Sequence, residues 1–214
     1  MPQLDGLREW LDDNPDICGL NVTIPHKQAV IPLLDALDPS AGETGAVNCI
    51  RISHRPALHL EGFNTDTTGF ATMLDEAGVG QGVKALVFGT GGAALAVHYV
   101  LKQRSIPYLR IGRNLSKADL LFDELDAATL SDRKLLIQTT PLGMEGPWAG
   151  MKPDIPYEAI GAEHICLDLV YRPALTPFMK ACAEMGAQTR NGMQMLEAQA
   201  AAAWELFSAI EEIR

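Results

Sequence analysis

Lys27 closes the segment Gly19-Leu-Asn-Val-Thr-Ile-Pro-His-Lys27, in which Leu20, Val22 and Ile24 alternate with Asn21 and Thr23. That period of two suits a strand, and Pro25 suits the first position of a helix because it has no N–H to lose there. The pattern predicts Lys27 in the first helical turn, near the positive end of a helix dipole. Such a position costs an exposed cation a few tenths to about 1 kcal/mol and lowers its pKa. A lysine tuned in this way can carry a proton to and from a substrate oxygen. Asp66 stands at a second predicted strand-to-helix junction, Asn64-Thr-Asp-Thr-Thr-Gly69, from which side chains often enter a cleft. A carboxylate there can orient both an ammonium and a substrate hydroxyl, and spacing alone equally allows a helix cap.

A second chemistry is written in Gly89-Thr-Gly-Gly-Ala-Ala94, which follows the apolar run Lys84-Ala-Leu-Val-Phe88 and opens an amphipathic helix over residues 93–102. Glycines in that context let backbone N–H groups and a helix N-terminus approach a pyrophosphate. About 20 residues further on, a dinucleotide without a 2′-phosphate calls for an acidic residue on its ribose. This chain instead reads Ile111-Gly-Arg113-Asn-Leu-Ser-Lys117. The planar fork of Arg113 suits a phosphate and Lys117 adds charge, so the expected cofactor is NADP. Hydride exchange with an alcohol requires a proton to leave or join the oxygen, which gives Lys27 and Asp66 a task.

The elements that must position these groups alternate. A helix over residues 4–11 precedes the Lys27 strand, and Pro32 is expected either to kink the helix after Lys27 or to start a second helical piece containing Leu33, Leu34 and Leu37. Residues 46–52 and 59–63 read as a hairpin, and a helix carrying Phe70, Met73 and Leu74 follows. Residues 84–88, 107–111, 134–138 and 165–170 read as strands separated by helical stretches, one of them polar with Leu120, Leu121 and Leu125. The last helix, residues 192–213, repeats Leu196, Ala200, Ala203, Phe207 and Ile210. The expected fold class is α/β with two lobes: a substrate lobe over 1–77, a Rossmann-type doubly wound domain over 78–190 after the glycine-rich seam 78–82, and a C-terminal helix, 191–214, returning to the first lobe.

Composition narrows the function. The chain has 214 residues, a formal charge of -10 and 47% hydrophobic residues. An acidic chain lacks the clustered cations of a sequence-independent nucleic-acid or anionic-membrane binder. No apolar run approaches a membrane span and the amino end lacks the pattern of a secretory signal, so a cytoplasmic protein is expected. Cys18, Cys49, Cys166 and Cys182 are scattered, which suits reduced thiols better than disulfides or zinc, and the five histidines show no metal-ligand spacing.

Asn21-Val-Thr-Ile-Pro-His-Lys27, Gly45-Ala-Val-Asn48, Asn64-Thr-Asp66, Gly89-Thr-Gly-Gly-Ala93, Thr139-Thr-Pro-Leu-Gly143 and Gly192-Met-Gln-Met-Leu-Glu-Ala-Gln199 occur together in one order. That series resembles the shikimate dehydrogenase family from about residue 19 to the end. The resemblance implies NADP-dependent, reversible reduction of 3-dehydroshikimate to shikimate, in the pathway to aromatic amino acids. It implies proton transfer by Lys27 with Asp66 as partner, and contacts to substrate from Thr23, Asn48, Tyr171 and Gln199. Gly89, Thr90, Gly91, Gly92 and Ala93 become the pyrophosphate turn. Arg113, Asn114 and Lys117 become the adenosine-phosphate clamp, with Asn114 in place of a commoner threonine and Lys117 in place of a commoner arginine. Thr140, Leu169, Gly192 and Met195 are implied along the cofactor, and Met193 and Leu196 are expected in the core.

The family opens with a strand, a serine-containing loop and a helix that nothing near Met1 matches. The expectation is an incomplete substrate lobe with reduced shikimate turnover, closed by a missing upstream segment or by a homodimer. A quinate/shikimate dehydrogenase using NAD or NADP, and an inactive NADP-binding regulatory relative, remain as alternatives.

Overall fold

The computed structural model describes residues 4–209. Two sheets carry the architecture, one of four strands and one of six.

The chain enters through helix α1 (Leu7–Asp12), whose Leu7 and Leu11 are buried, and then forms strand β1 (Gly19–Asn21). Strand β2 (Ala36–Leu37), helix α2 (Pro39–Thr44), and the hairpin of β3 (Cys49–Ser53) and β4 (His59–Phe63) complete the first sheet, in the order β1-β3-β4-β2. Leu7, Leu11 and Val30 cover one face through Ile50, Ile52 and Leu60. Among the described residues β1 pairs with β3 alone, antiparallel, placing Gly19 opposite Arg51 and Asn21 opposite Cys49. The Val22 N–H donates to the Asn48 carbonyl and the Ile52 N–H to the Cys18 carbonyl. In an antiparallel ladder with that phase, Gly19 and Asn21 turn their backbone groups to the outer edge.

Helix α3 (Asp66–Glu76) leads to β5 (Ala85–Phe88), helix α4 (Gly92–Gln103) and β6 (Tyr108–Gly112). β7 (Leu120–Leu121), α5 (Ala127–Ser131), β8 (Leu135–Gln138), β9 (Ile165–Asp168), α6 (Pro177–Glu184), β10 (Gln188–Arg190) and α7 (Met193–Ser208) follow. The six-stranded sheet is wholly parallel, in the order β10-β9-β8-β5-β6-β7. Its central strand shows why: Ala85 and Val87 pack with Phe70, Val97 and Met195 on one face, while Leu86 and Phe88 pack with Leu130 and Phe178 on the other. A strand buried on both faces needs helices on both, as a doubly wound sheet supplies. Among the described residues, no helix is long and apolar enough to cross a membrane. All four cysteines are free thiols, and Cys49, Cys166 and Cys182 are buried.

The expected two-lobed α/β class is the observed one, but four local expectations are not met. Residues 24–30 form turns rather than a helix, so Lys27 does not lie in the first turn of a helix of its own segment. The Lys27 carbonyl, which a helix would use for itself, accepts the N–H of Val47, and Pro32 has no N–H to continue a ladder. Leu33 lies in a single 3-10 turn, Ile31–Leu33, while Leu37 belongs to β2, paired with Gly62 of β4. Leu120 and Leu121 form an edge strand against β6 where a helix was expected. In α7 Met195 and Ala203 are buried and Leu196, Leu206 and Phe207 are half-buried, whereas the expected inward positions Ala200 and Met193 are exposed. Ile210 and the rest of the expected helix to residue 213 lie outside the described residues.

Candidate functional site

The turn that replaces the expected helix still delivers Lys27 to Asp66. The Val47 N–H pins the Lys27 main chain at 2.8 Å, just before Asn48. The Lys27 ammonium pairs with Oδ2 of Asp66, and both side chains are largely withdrawn from solvent, at 17% and 11% exposure. Asp66 is the first residue of α3, and its carboxylate does not cap that helix. Its Oδ1 instead accepts from Asn48 Nδ2 at 2.9 Å. One oxygen therefore holds a cation and the other an amide, which fixes the plane of the carboxylate.

Thr65 completes this cluster and was not singled out from the sequence. Its N–H donates to Asn48 Oδ1 at 2.7 Å, and Asn48 Nδ2 donates to Thr65 Oγ1 at 3.0 Å. Gln199 approaches from α7, with Oε1 3.5 Å from both Asn48 Nδ2 and Thr65 Oγ1. The Asn-Thr-Asp run was the available signal, because its first residue is also committed: Asn64 Nδ2 donates to Thr44 Oγ1 and the Ala46 carbonyl, tying down the loop before Asn48.

Lys27, Asp66, Asn48, Thr23, Tyr171 and Gln199 line one cavity of about 390 Å³, joined by Ala93, Leu169, Gly192 and Met195. Asn21 and Leu196 are also in its wall. A second cavity, of about 320 Å³, is lined by Gly89, Thr90, Gly91, Arg113, Lys117 and Thr140. The start of α4 thus separates the two: Gly91 faces one and Ala93 the other. Gly92 begins the helix without lining either, and Asn114 lies outside both walls, its Oδ1 accepting the Ser116 N–H in a turn.

The residues at this helix start fit a dinucleotide. Gly89 has φ of 111°, and a Cβ there would lie 2.6 Å from Thr139 Oγ1. At Gly91 and Gly92 a Cβ would meet nothing within 4 Å, so a ligand can approach the backbone closely. The first helical turn leaves N–H groups without partners inside the helix, a donor set suited to a phosphate. Arg113 and Lys117 form no salt bridge among the described residues, so their charge is available to the same cavity. Buried Gln138 shapes the opposite wall, accepting from the Thr140 N–H at 2.6 Å and donating to the Leu142 carbonyl at 3.0 Å.

Asp168, at the end of β9, holds the loop that carries Leu169 and Tyr171. Its oxygens accept from the Val170 N–H at 2.9 Å and Thr176 Oγ1 at 2.6 Å. Burial pushes its pKa up to about 6, against the lowering effect of those two bonds. The folded value lies above the unfolded one, so this group favours the folded state below pH ~4, and that contribution is lost as pH rises through about 6. Asp168→Asn is expected to remove this loss, worth at most about 3 kcal/mol. Urea midpoints of parent and variant at pH ~5 and ~8 check it: the gap between the two proteins changes with pH if Asp168 titrates as described, and stays constant otherwise.

Residues 3–50 match the family described as the shikimate dehydrogenase substrate binding domain. A shikimate dehydrogenase (NADP(+)) of Halothermothrix orenii is 38% identical, over 97% of this chain and 76% of that protein. The structure of shikimate 5-dehydrogenase from Thermus thermophilus in complex with NADP(H) and shikimate superposes with a TM-score of 0.82 at 30% identity, over 97% of this chain and 79% of that one. Quinate dehydrogenase from Corynebacterium glutamicum in complex with NAD gives a TM-score of 0.83 at 28% identity, over 95% of this chain and 77% of that one. The chain belongs to the shikimate dehydrogenase family.

Proposed function

We propose that this protein is an NADP-dependent dehydrogenase interconverting shikimate and 3-dehydroshikimate. The observation that carries the reading is the position of α4's first turn between two cavities, one holding Lys27, Asp66 and Asn48, the other Arg113 and Lys117. A dinucleotide crossing that turn, with phosphates on the helix start, has one end among cations and the other beside Leu169, Gly192 and Met195. NADP+ supplies the hydride acceptor, and NADPH the donor, when bound there.

The chain's own residues do the remaining work. Lys27 exchanges the proton of the reacting hydroxyl, and Asp66 balances the ammonium charge and orients it. Asn48 holds Asp66 in plane, while Thr23, Tyr171 and Gln199 offer hydrogen-bonding groups to the other substrate oxygens. A polyhydroxylated ring suits this wall, because the wall offers several side-chain donors and acceptors and an analogue lacking a hydroxyl would leave one of them unpaired.

Initial rates with shikimate and with quinate, each against NADP+ and NAD+, test the reading. The highest rate with shikimate and NADP+ supports it; no pair exceeding the rate of Lys27→Ala protein overturns it. The cofactor preference has its own expected result. Replacing both Arg113 and Lys117 with alanine should raise KM for NADP+ by about 10- to 100-fold, the value of losing charge-assisted bonds to a phosphate, and leave KM for NAD+ nearly unchanged.

A further inference from the structure

The cavity that holds Arg113 and Lys117 also holds two aromatic side chains, Phe122 and Trp148, which no phosphate needs. Phe122 is fixed from behind: it stacks on Phe88 with ring centres 6.3 Å apart and planes at 26°, and wholly buried Phe88 stands edge-on to Phe178 at 6.1 Å. It is a rigid wall continuous with the core.

Trp148 comes from a loop that is equally tied down. Its carbonyl accepts the N–H of Gly143 at 3.0 Å and of Met151 at 3.2 Å. Gly143 has φ of 91°, and a Cβ there would lie 3.2 Å from Thr176, so the loop is seated against the start of α6. Its first residues are held by buried Gln138 through Thr140 and Leu142. A loop anchored at both ends nevertheless presents a large apolar ring that is 39% exposed. An exposed indole lining a cavity alongside a fixed phenyl ring and two cations suits a planar aromatic base that carries a phosphate nearby.

We infer that Trp148 is a cofactor-positioning residue that covers the adenine ring, with Phe122 lining the same pocket, so that cofactor affinity is divided between base stacking and phosphate clamping. The inference rests on the nucleotide reading of this cavity and deepens it. Stacking is blind to the 2′-phosphate: Trp148 serves NADP and NAD equally, whereas Arg113 and Lys117 distinguish them.

The chain has three tryptophans, and the other two, Trp10 and Trp204, are exposed at 38% and 70%. A Trp10→Phe, Trp204→Phe protein therefore reports on Trp148 alone. Its emission is expected to change on titration with adenosine 2′,5′-bisphosphate, which has no nicotinamide. By calorimetry, Trp148→Ala should weaken NADP+ and NAD+ alike by about 10-fold, with Trp148→Phe restoring most of the loss and shikimate affinity unmoved. Unchanged emission at saturation, or Trp148→Ala binding both cofactors as the parent does, overturns the inference while leaving the nucleotide reading intact. A parent protein that binds neither NADP+ nor the bisphosphate overturns both. A loss for NADP+ but not NAD+ also overturns it, since that is the signature of a phosphate contact.

Discussion

Lys27→Ala is expected to lower kcat for shikimate oxidation by about 10²- to 10⁴-fold, the usual value of a positioned proton-transfer group, with NADP+ affinity retained. The split follows from where the side chain sits. Its ammonium lies against Asp66 in the cavity that also contains Asn48 and Gln199, on the far side of α4's start from Arg113 and Lys117. Removing it leaves the Asp66 carboxylate with its Asn48 bond but without its counter-ion, and under the proposed function the proton carrier goes with it. Lys27→Met keeps the aliphatic stem and guards against a packing effect. Calorimetry with NADP+ and initial rates with saturating shikimate give the two readouts. A methionine variant that turns over at the parental rate would remove Lys27 from the mechanism.

Gly69→Ala should destabilise the fold by about 1–3 kcal/mol and raise KM for shikimate as well. Gly69 is where α3 meets α7: a Cβ there would lie 2.5 Å from the Met195 carbonyl oxygen and 3.1 Å from the Cβ of Gln199. The first neighbour is backbone and cannot rotate away, so α7 must move, carrying Met195 and Gln199 out of the cavity wall. Gly42→Ala is the matched control. Gly42 also lies in a helix, α2, and its added methyl meets nothing within 4 Å, so the change should be neutral or stabilising by up to about 1 kcal/mol. Urea denaturation of the two variants decides the matter, and equal midpoints would mean that the helices do not touch at Gly69 as described.

The glycine turn and Lys27 mark what could be read from residue order. The glycine turn was legible because its physics is local: a strand of apolar residues, glycines that admit a ligand, then a helix, all within about 20 residues. The β3–β4 hairpin and α3 were legible for the same reason. Lys27 was identified from a helix-dipole argument that does not survive, since no helix begins at Pro25. Its setting is non-local, made by the Val47 N–H and by Asp66, and no periodicity within residues 19–30 encodes either partner. Short edge strands such as β2 and β7, two residues each, are created by their neighbours β4 and β6, and apolar spacing cannot separate them from a helical turn. The start of α6 was passed over, although Thr176 caps it and Pro177 occupies its first turn. Trp148 lacked a signal of that kind, because a tryptophan in a loop gains meaning only from what the fold sets opposite it.

Among the described residues the strand that feeds Lys27 is fastened along one side only, to β3, whereas β5, which feeds the glycine turn, is fastened on both. Gly19, moreover, lies so close to the ring of Phe207 that no Cβ would fit between them, so β1 also depends on the far end of α7 staying docked. Local opening starts where backbone bonds are fewest and ends where they are most numerous. The segment that carries Lys27 is therefore expected to open more readily than the one that carries Gly89 and Gly91. Hydrogen exchange on warming checks this: the amides of β1 are expected to lose protection before those of β5.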